Sequence, residues 1–167
     1  IPYRVYGGLR FFERAEIKHA LAYLRLLENP NDDTSFSRVV NFPTRGIGAR
    51  SIEAVQDAAR AQNSSLYLAA STLDGKAGAA LGGFVRLVDH MREATRHNTL
   101  PETVEFVIQH SGLIHHYLSE REGQDRVENL QELINAATAF IAEEGYGQDA
   151  TAATLPGENA PGAVEIS

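Results

Sequence analysis

Residues 41–48 read Asn-Phe-Pro-Thr-Arg-Gly-Ile-Gly, and no regular helix can run through them. Proline has no N–H to donate and disfavours helical angles in the residue before it, so the helix preceding Pro43 must stop near Phe42. Gly46 and Gly48 can take positive φ without a Cβ clash. That predicts a hairpin whose consecutive backbone N–H groups point outward at the start of a helical run beginning near Arg50. Such a helix start attracts anions. With Arg45 before the turn and Arg50 after it, the expected anion is a nucleic-acid phosphate, held through backbone and charge without reading bases. The plainer alternative is a turn and nothing more, since Gly-x-Gly between helices is common turn chemistry.

The rest of the chain alternates helical stripes with breakers. Ile1 to Tyr6 alternates and is rich in β-formers, so it reads as a strand ended by Gly7-Gly8 whose partner is nowhere in the chain, as though cut from something larger. Ile17, Leu21 and Leu24 give a helical stripe that ends at Asn29-Pro30. Asp33 or Thr34 should cap a short helix with Phe36, Val39 and Val40 on its apolar face. Past Gly48, Ile52, Val55 and Ala58/Ala59 repeat helically until Asn63-Ser64-Ser65 supplies a stop and a new cap for a short piece around Leu66. Leu81, Phe84, Val85, Val88 and Met91 mark a long helix opening near Gly75-Lys76, with Gly78, Gly82 and Gly83 read as close-packing positions. Thr99-Leu-Pro-Glu102 is a capping box. Arg126 opens the last strong helix, with Val127, Leu130, Ile134, Ala137 and Ile141 inward, and from Gly145 onward the periodic apolar residues give out. The expected fold is all-α, with seven or eight helices in a compact subdomain.

Composition narrows function. The net charge is −7, which opposes nucleic-acid binding until its distribution is read: residues 1–60 hold nine Arg/Lys against seven Asp/Glu, while residues 61–167 hold six against fifteen. The basic excess sits with the hairpin. The absence of cysteine removes disulfides and thiolate metal sites, and no apolar run suits a membrane span or signal peptide, so a soluble cytoplasmic protein is expected. His115 and His116 are adjacent and cannot share one helix face, so with His110 they read as surface residues rather than ligands. His19 reads as a solvated helix residue. Lys76, at the start of the long helix, is a candidate second phosphate contact.

Several words occur together in order: Tyr6-Gly-Gly-Leu-Arg-Phe-Phe-Glu-Arg-Ala-Glu-Ile-Lys18, Ala22-Tyr-Leu-Arg25, Asn31-Asp-Asp33, Arg38-Val-Val-Asn41, Pro43-Thr-Arg-Gly-Ile-Gly48 and Arg126-Val-Glu-Asn-Leu130. They resemble the UvrD/PcrA/Rep family of superfamily 1 DNA helicases, where the chain leaves subdomain 2A for the inserted helical subdomain 2B. The family usually has Asp after Glu-Ile-Lys, and this chain has His19. The resemblance implies residues 1–8 as the end of 2A and a hinge and 9–144 as the helical 2B subdomain, while the composition of 145–167 predicts a flexible, disordered tail. The resemblance also implies a duplex-gripping and regulatory role within an ATP-dependent 3′-to-5′ helicase of DNA repair or replication. On the hairpin it marks Thr44, Arg45, Gly46, Ile47, Gly48 and Arg50 as DNA-binding residues, with Lys76 added by position. The implied partners are double-stranded DNA at a junction, the remaining subdomains 2A, 1A and 1B, and repair proteins.

The motor's own chemistry is not in this sequence. A helicase needs a Gly-x-x-x-x-Gly-Lys-Ser/Thr phosphate loop, and the nearest approach, Gly75-Lys76-Ala77, lacks both the upstream glycine and the hydroxyl. No catalytic residue, cofactor or metal is therefore expected here, ATP and Mg²⁺ being implied only for a parent protein. Two other classes compete. A stand-alone regulator would need a base-reading helix, and Glu53, Gln56, Asp57 and Arg60 are a poor set for a groove. A protein-docking module would use the acidic second half instead.

Overall fold

The structure is a computed structural model, and it describes residues 9–144. The expected strand at residues 1–6, the hinge at Gly7-Gly8 and the tail at 145–167 lie outside the described residues. Within them the chain forms nine helices and no strand: α1 (Leu9–Glu13), α2 (Ala15–Glu28), α3 (Asp33–Val39), α4 (Ala49–Gln62), α5 (Leu66–Ala70), α6 (Gly75–Ala94), α7 (Leu100–His110), α8 (Leu113–Leu118) and α9 (Gly123–Glu144). The all-α expectation holds. The count is higher because α1 and α8, five and six residues long, are too short to show a helical period.

Helix α2 is the axis. Ile17, Ala20, Tyr23 and Leu26 recur every three residues and are wholly buried, and α2 packs against α1, α3, α6, α7 and α9. Leu81, Phe84, Val88 and Met91 of α6 and Val104, Val107 and Ile108 of α7 close the same core. Phe36 meets Phe84 edge to face at 5.2 Å, a geometry in which a ring's positive edge faces its neighbour's negative π surface. Each fully buried side chain of this size contributes about 1.5–3 kcal/mol, so this core outweighs the few exposed ion pairs, such as Arg96–Glu93, that decorate the surface.

Local signals place most of the helix ends. Thr99 and Glu102 form the capping box, with Thr99 Oγ1 accepting from the Glu102 N–H and Glu102 Oε1 accepting from the Thr99 N–H. Ser65 caps α5 through the Leu68 N–H, and Asn63 turns α4 off in the left-handed region at φ 54°. Three expectations shift. The α3 cap is Asp32, one residue earlier than expected, which frees Asp33 to accept from the Leu66 N–H and tie α3 to α5. Helix α9 starts at Gly123, before Arg126. Of the three α6 glycines expected at close packing, Gly78 alone is at a close backbone approach, where a Cβ would sit 2.1 Å from the Leu73 carbonyl oxygen; Gly82 and Gly83 face only the Arg86 side chain.

The Arg-x-Glu-Asn-Leu word forms a polar clamp between α9 and α2. Glu16 is buried, Asn129 Nδ2 donates to its Oε2 at 2.8 Å, and Arg126 Nη1 lies 3.7 Å from its Oε1 while the guanidinium covers the Tyr117 ring. A buried carboxylate needs such partners, because losing them leaves an uncompensated charge in a low-dielectric site.

Candidate nucleic-acid interface

The chain between α3 and α4 turns where the hairpin was expected, but the Arg45 and Ile47 N–H groups point inward, to Asn41, rather than outward. Asn41 Oδ1 accepts from the Arg45 N–H at 2.7 Å and the Ile47 N–H at 3.2 Å, folding residues 41–47 around one side-chain oxygen. Gly46 takes φ 78°, as expected for a residue turning the chain in the left-handed region. Ile47 is buried and plugs the turn into the core. Gly48 departs from expectation: its φ is −90° and ψ −172°, extended backbone that any residue adopts, so the turn itself does not require glycine there. The Phe42–Pro43 peptide bond is cis.

Gly48 is the N-cap of α4, and no side chain caps that helix end. The first intrahelical bond runs from the Ile52 N–H to the Gly48 carbonyl, so the Ala49, Arg50 and Ser51 N–H groups precede the helical ladder. The first turn holds no acid and carries the exposed Arg50, a cation at the positive end of the helix dipole. That arrangement opposes the usual preference by a few tenths of a kcal/mol, and an anion would reverse it. A Cβ added to Gly46 or Gly48 meets nothing within 4 Å, so this lip of the hairpin is open. Thr44 is exposed beside it.

Arg45 points the other way. Its guanidinium lies inside the turn, donating from Nη1 to the Val39 and Val40 carbonyls at 2.9 and 3.3 Å and from Nη2 to the Ser111 carbonyl at 3.1 Å and to the Tyr23 hydroxyl. It also covers the Phe84 and Tyr23 rings, at 5.1 and 5.6 Å from their centroids. A side chain engaged by four acceptors and two rings is committed to the fold. Lys76 is exposed in the first turn of α6, and no hydrogen bond or ion pair among the described residues joins it to the hairpin. Thr44, Gly46, Gly48 and Arg50 are thus exposed, while Arg45 and Ile47 are turned inward and Lys76 lies on a separate helix.

Sequence reasoning missed what lies behind the hairpin. Tyr23 is buried; its hydroxyl donates to the Phe42 carbonyl, and burial pushes its pKa up to about 12, against the opposing pull of Arg45. It therefore stays neutral and can donate to Phe42 while accepting from Arg45. His19 is half-buried and stacked on Phe42, with ring centroids 3.9 Å apart and planes 13° from parallel. The expectation of a solvated His19 is corrected, because α2 and the hairpin enclose it from both sides. His116 meets the other side of Phe42 edge-on at 4.8 Å and pairs with Glu120 at 3.2 Å, and so is only partly exposed. His115 is exposed, as expected, and His110 stacks on Phe106 at the surface. Among the described residues no three His, Asp or Glu side chains are grouped to hold a metal ion, and no helix is long and apolar enough to cross a membrane. A cleft of about 390 Å³ separates the hairpin from the α7–α8 turn, lined by Pro43, Thr44, Arg45, Ser111, Gly112, His115, His116 and Ser119.

The His19 stack has a pH signature. Burial lowers the His19 pKa from the ordinary 6.5, assisted by Arg38 and His116 and opposed by a weak backbone hydrogen bond at Ala15 and by Glu16. The unfolded chain then binds this proton more readily than the folded one, so the stability contribution is full above pH 6.5 and declines as the pH falls through the lowered folded value. Thermal melts between about pH 5 and 7.5 should show a steeper acid loss for the parent than for His19→Phe, which keeps a stacking ring and removes the titration. Parallel curves would place the acid sensitivity in other groups.

The described residues thus form an all-α unit with an uncapped, cation-bearing helix start behind a glycine turn. The UvrD-like helicase C-terminal domain model matches residues 1–152, and the chain belongs to that family. It is 45% identical over 152 residues to DNA helicase II of Escherichia coli, covering 86% of this chain and 21% of that protein. Identity is 34% over 147 residues to ATP-dependent DNA helicase PcrA of Bacillus subtilis, covering 84% and 20%. It is 37% over 155 residues to ATP-dependent DNA helicase UvrD1 of Mycobacterium tuberculosis H37Rv, covering 86% and 20%. The chain thus spans about a fifth of the length of these relatives.

Proposed function

We propose that this chain is the duplex-DNA-binding and regulatory 2B subdomain of an ATP-dependent 3′-to-5′ DNA helicase. In this reading it grips phosphates through the hairpin without reading sequence, and it hydrolyses no ATP itself because the motor residues are not in it. One observation carries the reading: the α4 start at Gly48 is open, uncapped and free of acids, with Arg50 in its first turn. The protein leaves that positive end uncompensated, and a phosphate supplies what is missing. The names of the relatives, all DNA helicases, supply the kind of phosphate. ATP and Mg²⁺ belong to the motor of the parent, as do the 2A, 1A and 1B subdomains that this unit would swing against.

Titrating a fluorescent duplex with the 167-residue chain at two salt concentrations tests the proposal. Binding should be weak, equal on unrelated sequences, and weaker at the higher salt in proportion to the few phosphates contacted. Absence of salt-sensitive binding at any protein concentration would move the reading to a protein-docking module that uses the acidic second half of the chain.

A further inference from the structure

Arg45 caps two helices at once. Val39 and Val40 end α3 and Ser111 ends α7, and their carbonyls lie at the negative ends of two helix dipoles, where a guanidinium is doubly favoured. The planar fork reaches both ends because its donors are fixed at an angle, which a lysine ammonium cannot reproduce. Tyr23 supplies the fourth acceptor and bonds the Phe42 carbonyl on the other side of the turn. Asn41 holds the backbone of Arg45 and Ile47. Arg45 and Tyr23 thereby tie the base of the hairpin to α2, α3 and α7, while Gly46 and Gly48 remain open.

We infer that Arg45, with Tyr23 and Asn41, is a positioning residue for the phosphate grip: it fixes the hairpin against the ends of α3 and α7 and does not itself touch phosphate. This rests on the duplex reading above. A phosphate-contacting arginine and a positioning arginine differ in what charge-conserving replacement does. If Arg45 met a phosphate, Arg45→Lys would keep the contact and Arg45→Ala would lower the salt slope by about one unit. A positioning Arg45 gives the opposite pattern.

The test is duplex titration of the full chain carrying Arg45→Lys or Tyr23→Phe at several salt concentrations, with circular dichroism melts showing that each variant is folded at the assay temperature. Arg45→Lys should lose about tenfold in affinity with the salt slope unchanged, since the number of neutralised phosphates stays the same while their donors are misplaced. Tyr23→Phe removes one hydroxyl without changing shape and should give a smaller loss, again at constant slope. It serves alone where Arg45→Lys does not fold. The positioning role is overturned if both variants bind as the parent does, or if either substitution changes the slope by a full unit. Gly48→Val is the control for the underlying reading. If it binds as the parent does, the duplex grip itself fails; if it loses binding while the other two keep it, only the positioning role fails.

Discussion

Gly123→Ala should cost the fold about 3 kcal/mol or more, and a urea titration should show its midpoint far below that of the parent. A Cβ at Gly123 would lie 1.5 Å from the Tyr117 carbonyl oxygen and 2.5 Å from its carbonyl carbon. Both are backbone atoms, so no rotamer change relieves the overlap, and α8 has to move away from the start of α9. That movement would carry the Tyr117 ring out of a packed site, where it lies beneath the Arg126 guanidinium and 6.0 Å from the Phe42 ring. The clamp on buried Glu16 uses the same Arg126, so the loss should spread from one contact to the junction of α2, α8 and α9. A midpoint within error of the parent would mean that this approach is looser than it stands here.

Nothing in the sequence around Gly123 announces that contact. A glycine after Arg121-Glu122 reads as an ordinary turn residue, and the need for it comes from a carbonyl six residues earlier that local pattern cannot orient. The capping box at Thr99 was legible for the converse reason: all its partners lie within one turn, and the spacing alone specifies them. Gly46 belongs with Thr99, since a tight turn needs positive φ somewhere and the choices are few. Arg45 belongs with Gly123. Charge and proximity to the glycines suggested an outward contact, but its acceptors are Val39, Val40, Tyr23 and Ser111, the last 66 positions away, and only the folded chain brings them together. His19 was misjudged likewise, because the ring that covers it, Phe42, lies on a different element. Helical period and caps therefore fixed the fold class, while the facing of individual side chains at the candidate site depended on long-range packing.

Gly48→Val separates a turn from a grip more sharply than any change at Gly46. At Gly46 the backbone sits at φ 78°, so a valine there is strained by about 1–2 kcal/mol whatever the hairpin does, and a loss of binding would be mixed with a loss of stability. At Gly48 the backbone is extended and a Cβ meets nothing within 4 Å, so valine should cost only the N-cap preference for glycine, about 0.5–1 kcal/mol, and leave the chain folded. Glycine is an acceptable N-cap but is not demanded here by conformation or by space within the protein. If phosphate approaches the uncapped N–H groups of α4, a branched side chain at Gly48 stands in its path, and duplex affinity should fall by about tenfold on every sequence alike. The expected result is a folded variant, at most slightly less stable than the parent, that binds duplex poorly, a combination that a purely structural turn cannot produce. Equal binding by Gly48→Val and the parent, both folded, would reduce the hairpin to a connection between α3 and α4 and direct the search for partners to the acidic remainder of the chain.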